Sequence, residues 1–288
     1  MDGILIIDKP DGITSHDVVS RVRRILKTKR VGHTGTLDPF ATGVMVILVG
    51  QATRLAQFLD KDEKEYEADV RFGFETDTGD RTGERRGEEE KGRKGAVDKA
   101  LIEAALAGFR GEIEQTPPMY SAKKIDGQKL YELARKGETV ERKAVKVTIS
   151  QLELVDTEKF RIPHSAFRIR VTCSAGTYIR TLAEDIGRKV GVGAHLAELR
   201  RTRAGRFDLS RSVTLDALAA LDDPTTALLS MEEAVGHLPS ITLTAGRASK
   251  TKERAFDAAY GNYLSRRPTC KDARRVRHAA CYRVLRRN

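Results

Sequence analysis

Apolar residues recur along this chain with two periods, and each change of period marks a new element. Gly3 to Asp8 is a short apolar run that reads as a strand, closed by a Lys9-Pro10-Asp11-Gly12 turn. Thr14-Ser15-His16-Asp17 has the form of a capping box, so a helix is expected to start there. In that helix Val18, Val22, Ile25 and Leu26 share one face, while Arg21, Arg23, Arg24 and Lys27 fall largely elsewhere. Val44 to Val49 is uniformly apolar, the signature of a strand buried on both faces. Ala52 to Leu59 suits a short helix. Tyr66, Ala68, Val70 and Phe72 then alternate with Glu65, Glu67, Asp69 and Arg71, which predicts a half-buried strand.

Thr76 to Gly83 is rich in turn formers. Its acids lack the spacing and the closing Glu of a calcium loop, so it reads as a plain loop. Glu84 to Lys94 is a run of mixed charge, expected to be a mobile, solvated connection. Helical spacing returns at Val97–Leu106, Gln128–Lys136 and about Thr177–Val190, and strand alternation at Val145–Val155 and Phe167–Cys173. Strands and helices alternate irregularly, often hairpin-like. That favours a mixed α+β fold over a doubly wound parallel one.

Composition narrows the class. With 288 residues, 40% hydrophobic and 32% charged, the chain can build an ample core. No apolar run approaches the roughly 20 residues of a membrane span, and the N-terminus does not read as a signal peptide. Cys173, Cys270 and Cys281 show no metal-site spacing and cannot all pair, so neither zinc nor a disulfide framework is expected. A reduced, cytoplasmic protein is the expectation.

The net charge of +11 favours a polyanionic partner, but it is unevenly spread. From Lys250 onward 12 basic residues face 3 acidic ones, a net of +9, which leaves only +2 for everything before. RNA binding by the body therefore calls for local patches. The candidates are Arg21-Val22-Arg23-Arg24 with Lys27, Lys29 and Arg30; Lys123-Lys124; and Arg200-Arg201-Thr202-Arg203 with Arg206.

The densest chemistry lies in Val31 to Val44, where three glycines and Pro39 constrain a loop around one isolated carboxylate, Asp38. The residues alone leave two readings: Asp38 makes a turn or cap, or it is a catalytic acid. Tyr66, on the apolar face of its strand, can be plain core. Arg180 at a helix start meets an unfavourable dipole, and that mild misfit favours a functional role.

Gly32-His33-Thr34-Gly35-Thr36-Leu37-Asp38-Pro39 with Ala41-Thr42-Gly43 closely resembles the catalytic motif of the TruB-type tRNA pseudouridine-55 synthases. The resemblance extends through Asp8-Lys9-Pro10 with Gly12-Ile13-Thr14-Ser15, Lys64-Glu65-Tyr66, Gln115-Thr116-Pro117-Pro118-Met119-Tyr120-Ser121-Ala122, Gly176-Thr177-Tyr178-Ile179-Arg180 and Gly193-Ala194-His195-Leu196. It implies the pseudouridine synthase fold, with a mixed, largely antiparallel central sheet and flanking helices. It also implies isomerisation of uridine-55 in the tRNA T-loop to pseudouridine, with base flipping and without cofactor or metal. By resemblance Asp38 is the nucleophile, Arg180 its pair, and Tyr66 stacks on the target base and assists proton removal. His33 fills the vacated stack, Tyr178 and Leu199 contact substrate, and Lys9 is near the site.

The chemistry suits such residues. Glycosidases use two carboxylates, one to activate water or act as nucleophile. An isomerase that must keep its leaving group has reason to exclude water and use one. Nucleophilic attack on the ribose and a glycal-like route both remain open, and the rival activities are an RNA N-glycosidase and a non-catalytic RNA-binding protein. The expected partner is the tRNA T-arm, with no membrane, no obligate protein partner and a monomeric state. Residues 1–237 are expected to form the catalytic domain. Residues 238–288 form an atypical C-terminal segment, which begins like a small RNA-binding domain at Leu238–Thr244. After about Lys250 no convincing strand pattern follows, and a divergent RNA-gripping tail or a shifted reading frame would each explain that.

Overall fold

The computed structural model describes residues 1–86, 97–121, 123–125, 127–134, 136–138, 140–156, 166–238, 240–241 and 283–284. In chain order the first half carries β1 (Gly3–Lys9), α1 (Ser15–Ile25), β2 (Val31–His33), β3 (Thr42–Val49), α2 (Ala56–Leu59), β4 (Lys64–Phe72), β5 (Glu75–Thr76), β6 (Arg85–Arg86), α3 (Lys99–Ala107) and β7 (Gly111–Gln115). Then come β8 (Lys124–Ile125), β9 (Gln128–Lys129), α4 (Leu130–Ala134), β10 (Val145–Asp156), β11 (Ala166–Cys173), α5 (Ile179–Val190) and β12 (Ala194–Ala204). The last elements are β13 (Phe207–Asp208), α6 (Leu215–Ala220), α7 (Met231–Ala234), β14 (Ser240–Ile241) and β15 (Arg283–Val284).

The central sheet runs β1-β3-β12-β4-β11-β10-β7, with β2 and β13 added on β3 and β12. Neighbours from β12 through β4, β11 and β10 to β7 are antiparallel, whereas β12 and β3 are parallel. This is the mixed, largely antiparallel sheet expected. The period-two reading of β4 holds: Lys64, Tyr66, Ala68, Val70 and Phe72 are buried, and their odd neighbours face outward or half-outward. Of these, Tyr66, Ala68, Val70 and Phe72 pack with Phe167, Ile169 and Val171 of β11 and with Ile179, Leu182 and Ile186 of α5 in one core. The capping box is present: the Thr14 hydroxyl accepts from the Asp17 amide, and Asp17 accepts from the Thr14 amide at 2.9 Å.

Two compact units divide the chain. One comprises Leu5–Ala227 with Met1, and contains every site residue discussed below. The other comprises Asp2–Ile4 with Leu228–Asn288, in which Ile4 and Leu229 exchange main-chain hydrogen bonds and Ser230 caps α7. The expected helix at 128–136 is shorter, at Leu130–Ala134, because β9 takes its first turn. Residues 87–94 of the charge run lie outside the described residues, as does nearly all of the basic tail. Its one described stretch, Arg283–Val284, pairs in parallel with Ser240–Ile241.

Candidate active site

The N-terminal turn and the Asp38 loop are one construction. Gly12 N–H donates to the Pro39 carbonyl at 3.0 Å. The Ser15 hydroxyl brackets Leu37, donating to its carbonyl at 3.0 Å and accepting from its amide at 2.9 Å. Lys9 is fully buried and gives its three ammonium protons to the carbonyls of Pro10, Pro39 and Ala41, at 2.9, 2.9 and 2.6 Å. An ammonium has three donors, so none is left for a ligand. Lys9, expected near the substrate, stands behind the loop and braces it. Burial pushes its pKa down to about 8, against the pull of Asp11 and Asp38.

Asp38 is thereby presented to Arg180. The guanidinium grips both carboxylate oxygens, Nε to Oδ2 at 2.9 Å and Nη2 to Oδ1 at 3.2 Å. This is the forked geometry in which charge-assisted hydrogen bonds are strongest. Arg180 is only 5% exposed and also donates to the carbonyls of Thr78 at 2.7 Å and Tyr120 at 2.6 Å. A second buried carboxylate, Asp80, lies 3.7 Å from Nη1. These acceptors offset the dipole misfit of a cation in the first turn of α5. The Asp38 carboxylate is thus spent on Arg180, not on a turn amide. Its side chain keeps 32% exposure, yet the surrounding protein desolvates it enough to push its pKa up. Arg180 is the main opposing pull, and Asp80 adds to the rise.

A cavity of about 230 Å³ opens beside this pair. It is lined by Thr34–Asp38, Lys64, Tyr66, Ser121, Ser174–Arg180, Leu199 and Arg201 among others. Sites that enclose drug-sized ligands run to roughly 300–1,000 Å³, so this volume suits a single ring. Tyr66, Leu199 and Arg201 come from one face of the sheet, since Arg201 stands opposite Tyr66 and Leu199 opposite Ala68. Tyr66 is 9% exposed, and burial pushes its phenol up, with Arg201 the largest opposing influence. Tyr178 is held as the residue before α5 by Gln115, whose side-chain amide accepts from Tyr178 N–H at 3.0 Å and donates to its carbonyl at 3.2 Å.

Five of the seven expected site residues therefore converge on the cavity: Asp38, Tyr66, Tyr178, Arg180 and Leu199. His33 does not line it. It ends β2 just before the loop, half-buried, with Nδ1 accepting from Gly35 N–H at 3.2 Å. Burial and the charge of Arg201 lower its pKa. Among the described residues no group of His, Cys, Asp and Glu is placed to hold a metal ion.

The sequence reading missed Asp80, Gln115 and the position of Arg201. The Thr76–Gly83 loop is a brace: Asp80 accepts from Thr78 Oγ1, Thr82 N and Thr82 Oγ1 while facing Arg180. The Arg200–Arg203 run, a candidate patch for RNA, is partly engaged by the fold itself, although the Arg200 and Arg203 side chains stay 39% and 33% exposed. Arg200 pairs with Asp8 at 2.7 Å, Arg203 lies 3.5 Å from Glu65, and Arg201 is 2% exposed. By contrast Arg21, Arg24, Lys27, Lys29 and Arg30 on and after α1 are exposed.

Comparison with known proteins identifies the family. Residues 23–179 match the TruB family pseudouridylate synthase (N terminal domain), and residues 180–235 the tRNA pseudouridylate synthase B C-terminal domain. The tRNA pseudouridine synthase B of Geobacillus thermodenitrificans is 48% identical over 260 residues, 89% of this chain and 85% of that one. That of Bacillus subtilis is 44% identical over 259 residues, covering 89% and 83%. Among solved structures, a Cbf5-Nop10-Gar1 complex matches with a TM-score of 0.63 at 32% identity, over 84% of this chain and 64% of that one. An H/ACA RNP bound to a substrate RNA containing 2'-deoxyuridine matches at 0.61 and 29%, over 84% and 63%. With the family matched across most of its length and Asp38, Tyr66 and Arg180 gathered at one cavity, the chain belongs to the TruB family of pseudouridylate synthases.

Proposed function

We propose that this chain converts uridine-55 in the T-loop of tRNA to pseudouridine, acting as a monomer in the cytoplasm. The relatives named tRNA pseudouridine synthase B support the substrate. The observation that carries the reading is the Asp38–Arg180 pair at the mouth of a cavity whose wall includes Tyr66.

The reaction breaks the N1–C1′ bond, turns the base and joins C5 to C1′, with no net redox change. Asp38, kept ionised by Arg180 against desolvation, is the nucleophile. Tyr66 offers a flat face to the extruded base and a hydroxyl near C5. Tyr178 and Leu199 close the cavity around the ring. His33, beside the loop, supplies a planar group to fill the place the base leaves in the RNA, and Lys9 serves the site by holding the loop. Exposed cations on and after α1 contact phosphates, the general mode by which folded RNA is held. Residues 1–237 form the catalytic domain and 238–288 a C-terminal segment.

Purified protein incubated with unmodified tRNA, without added nucleotide, should yield pseudouridine at one T-loop position. Release of free uracil would instead make it an N-glycosidase. Tight binding without product would leave an RNA-binding protein.

A further inference from the structure

Arg201 has no part in the chemistry described so far. It is 2% exposed, on the central strand β12, and its guanidinium reaches both ends of the loop that carries Asp38. Nε donates to the Val44 carbonyl at 2.6 Å, Nη2 to that of Gly35 at 3.3 Å and, more weakly, Nη1 to that of Thr36 at 3.5 Å. The chain around it leaves no slack. Gly43 lies at φ +101, and a Cβ there would run into the Arg201 carbonyl and the rest of its backbone. Across the sheet its register partner is Tyr66, and both line the cavity.

These acceptors are neutral carbonyls. A buried cation without a carboxylate partner is costly, and a fold that needed only a brace could use a neutral donor. Among the groups that feel Arg201, Lys9 from β1, His33 from β2 and Lys64 from β4 are basic; burial lowers each, and the charge of Arg201 adds to the fall. Tyr66 is the acidic group among them, and it also faces Asp38 and Cys173.

Building on the function proposed above, we infer that Arg201 is a positioning residue of the site, locking Gly35, Thr36 and Val44 to β12 while presenting its charge to the Tyr66 hydroxyl. One side chain then couples the place of the nucleophile to the state of the phenol. Burial drives the Tyr66 phenol up, and the charge of Arg201 opposes that. Tyr66 can then lend or take a proton more readily than an ordinary core tyrosine would.

The test compares wild type with Arg201→Lys and Arg201→Met in protein carrying 3-fluorotyrosine, whose Tyr66 ¹⁹F signal is assigned by its loss in Tyr66→Phe. Without the guanidinium the Tyr66 titration should move alkaline by about one pH unit, the lower end of what a neighbouring opposite charge exerts. In Arg201→Lys, which keeps a charge but loses the forked reach, it should move less. Single-turnover pseudouridine formation at saturating tRNA should fall at least about tenfold in Arg201→Met, with the lysine variant between, while tRNA affinity stays within about threefold. If Arg201→Met does not fold, the lysine variant alone must still shift the ¹⁹F titration. An unmoved titration in a folded variant overturns the inference. So does weakened tRNA binding with an unchanged rate at saturation, which would return Arg201 to the role of a phosphate contact. Wild type that makes no pseudouridine refutes the proposed function instead, and the ¹⁹F titration still decides the role of Arg201.

Discussion

Replacing Arg180 by lysine puts the largest demand on the reasoning, because it keeps the charge and removes the fork. The guanidinium spans two carboxylate oxygens of Asp38 and the carbonyls of Thr78 and Tyr120, with Asp80 behind. One ammonium nitrogen cannot reach acceptors that lie on three separate loops. If it stays with Asp38, the two carbonyls are orphaned in a buried place at about 1–3 kcal/mol each. If it stays with them, Asp38 loses a charge-assisted pair contributing about 1.5–3 kcal/mol. A loss on that scale at the nucleophile corresponds to roughly a 10- to 100-fold slower chemical step. The direction with pH follows. Burial already pushes the Asp38 pKa up and Arg180 is the main restraint, so weakening it leaves more Asp38 protonated at neutral pH. Part of the lost rate should return as pH rises. The assay is single-turnover pseudouridine formation at saturating tRNA between about pH 6 and pH 9, the limbs of such a profile reporting the ionising groups of the complex. Affinity for tRNA should change little, since Arg180 is buried. A rate within about threefold of wild type with an unmoved acid limb would refute the claim that Arg180 governs the ionisation of Asp38.

Asp38→Asn should abolish turnover and leave tRNA binding within about tenfold. Because the folded protein disfavours the charged carboxyl, the neutral residue should leave Tm equal or raised, and scanning calorimetry decides. Lys9, pushed down to about 8 from 10.5, binds fewer protons folded than unfolded between those values. Its burial therefore costs less as pH rises, and stability relative to Lys9→Met should gain about 3 kcal/mol between neutral pH and pH well above 10. Urea titration of both proteins reads that difference. Gly43→Ala adds a Cβ against the Arg201 carbonyl at a φ that disfavours side chains, and should destabilise by about 3 kcal/mol or more in the same assay.

Much of this molecule is local and could be read in order. The capping box at Thr14, the alternation of Tyr66 to Phe72 and the apolar run of β3 depend on neighbours within a few residues, so their periods appear directly in the chain. The convergence of Asp38, Tyr66, Tyr178, Arg180 and Leu199 was anticipated through resemblance to a family, not through their spacing. What folding alone decided is long-range. Strand β12 was not foreseen because Glu198, Arg200, Arg201 and Arg203 make it look like a solvated face. It is central because β3 and β4 flank it, and its charges are met by Asp8, Glu65 and main-chain carbonyls far away in sequence. Lys9 changed from a prospective ligand contact to a brace for the same reason, its acceptors on Pro39 and Ala41 lying some 30 residues on. Asp80 and Gln115 reach Arg180 and Tyr178 across similar or greater distances. A buried polar group takes its meaning from the partner that satisfies it, and only the closed chain brings that partner within hydrogen-bonding reach.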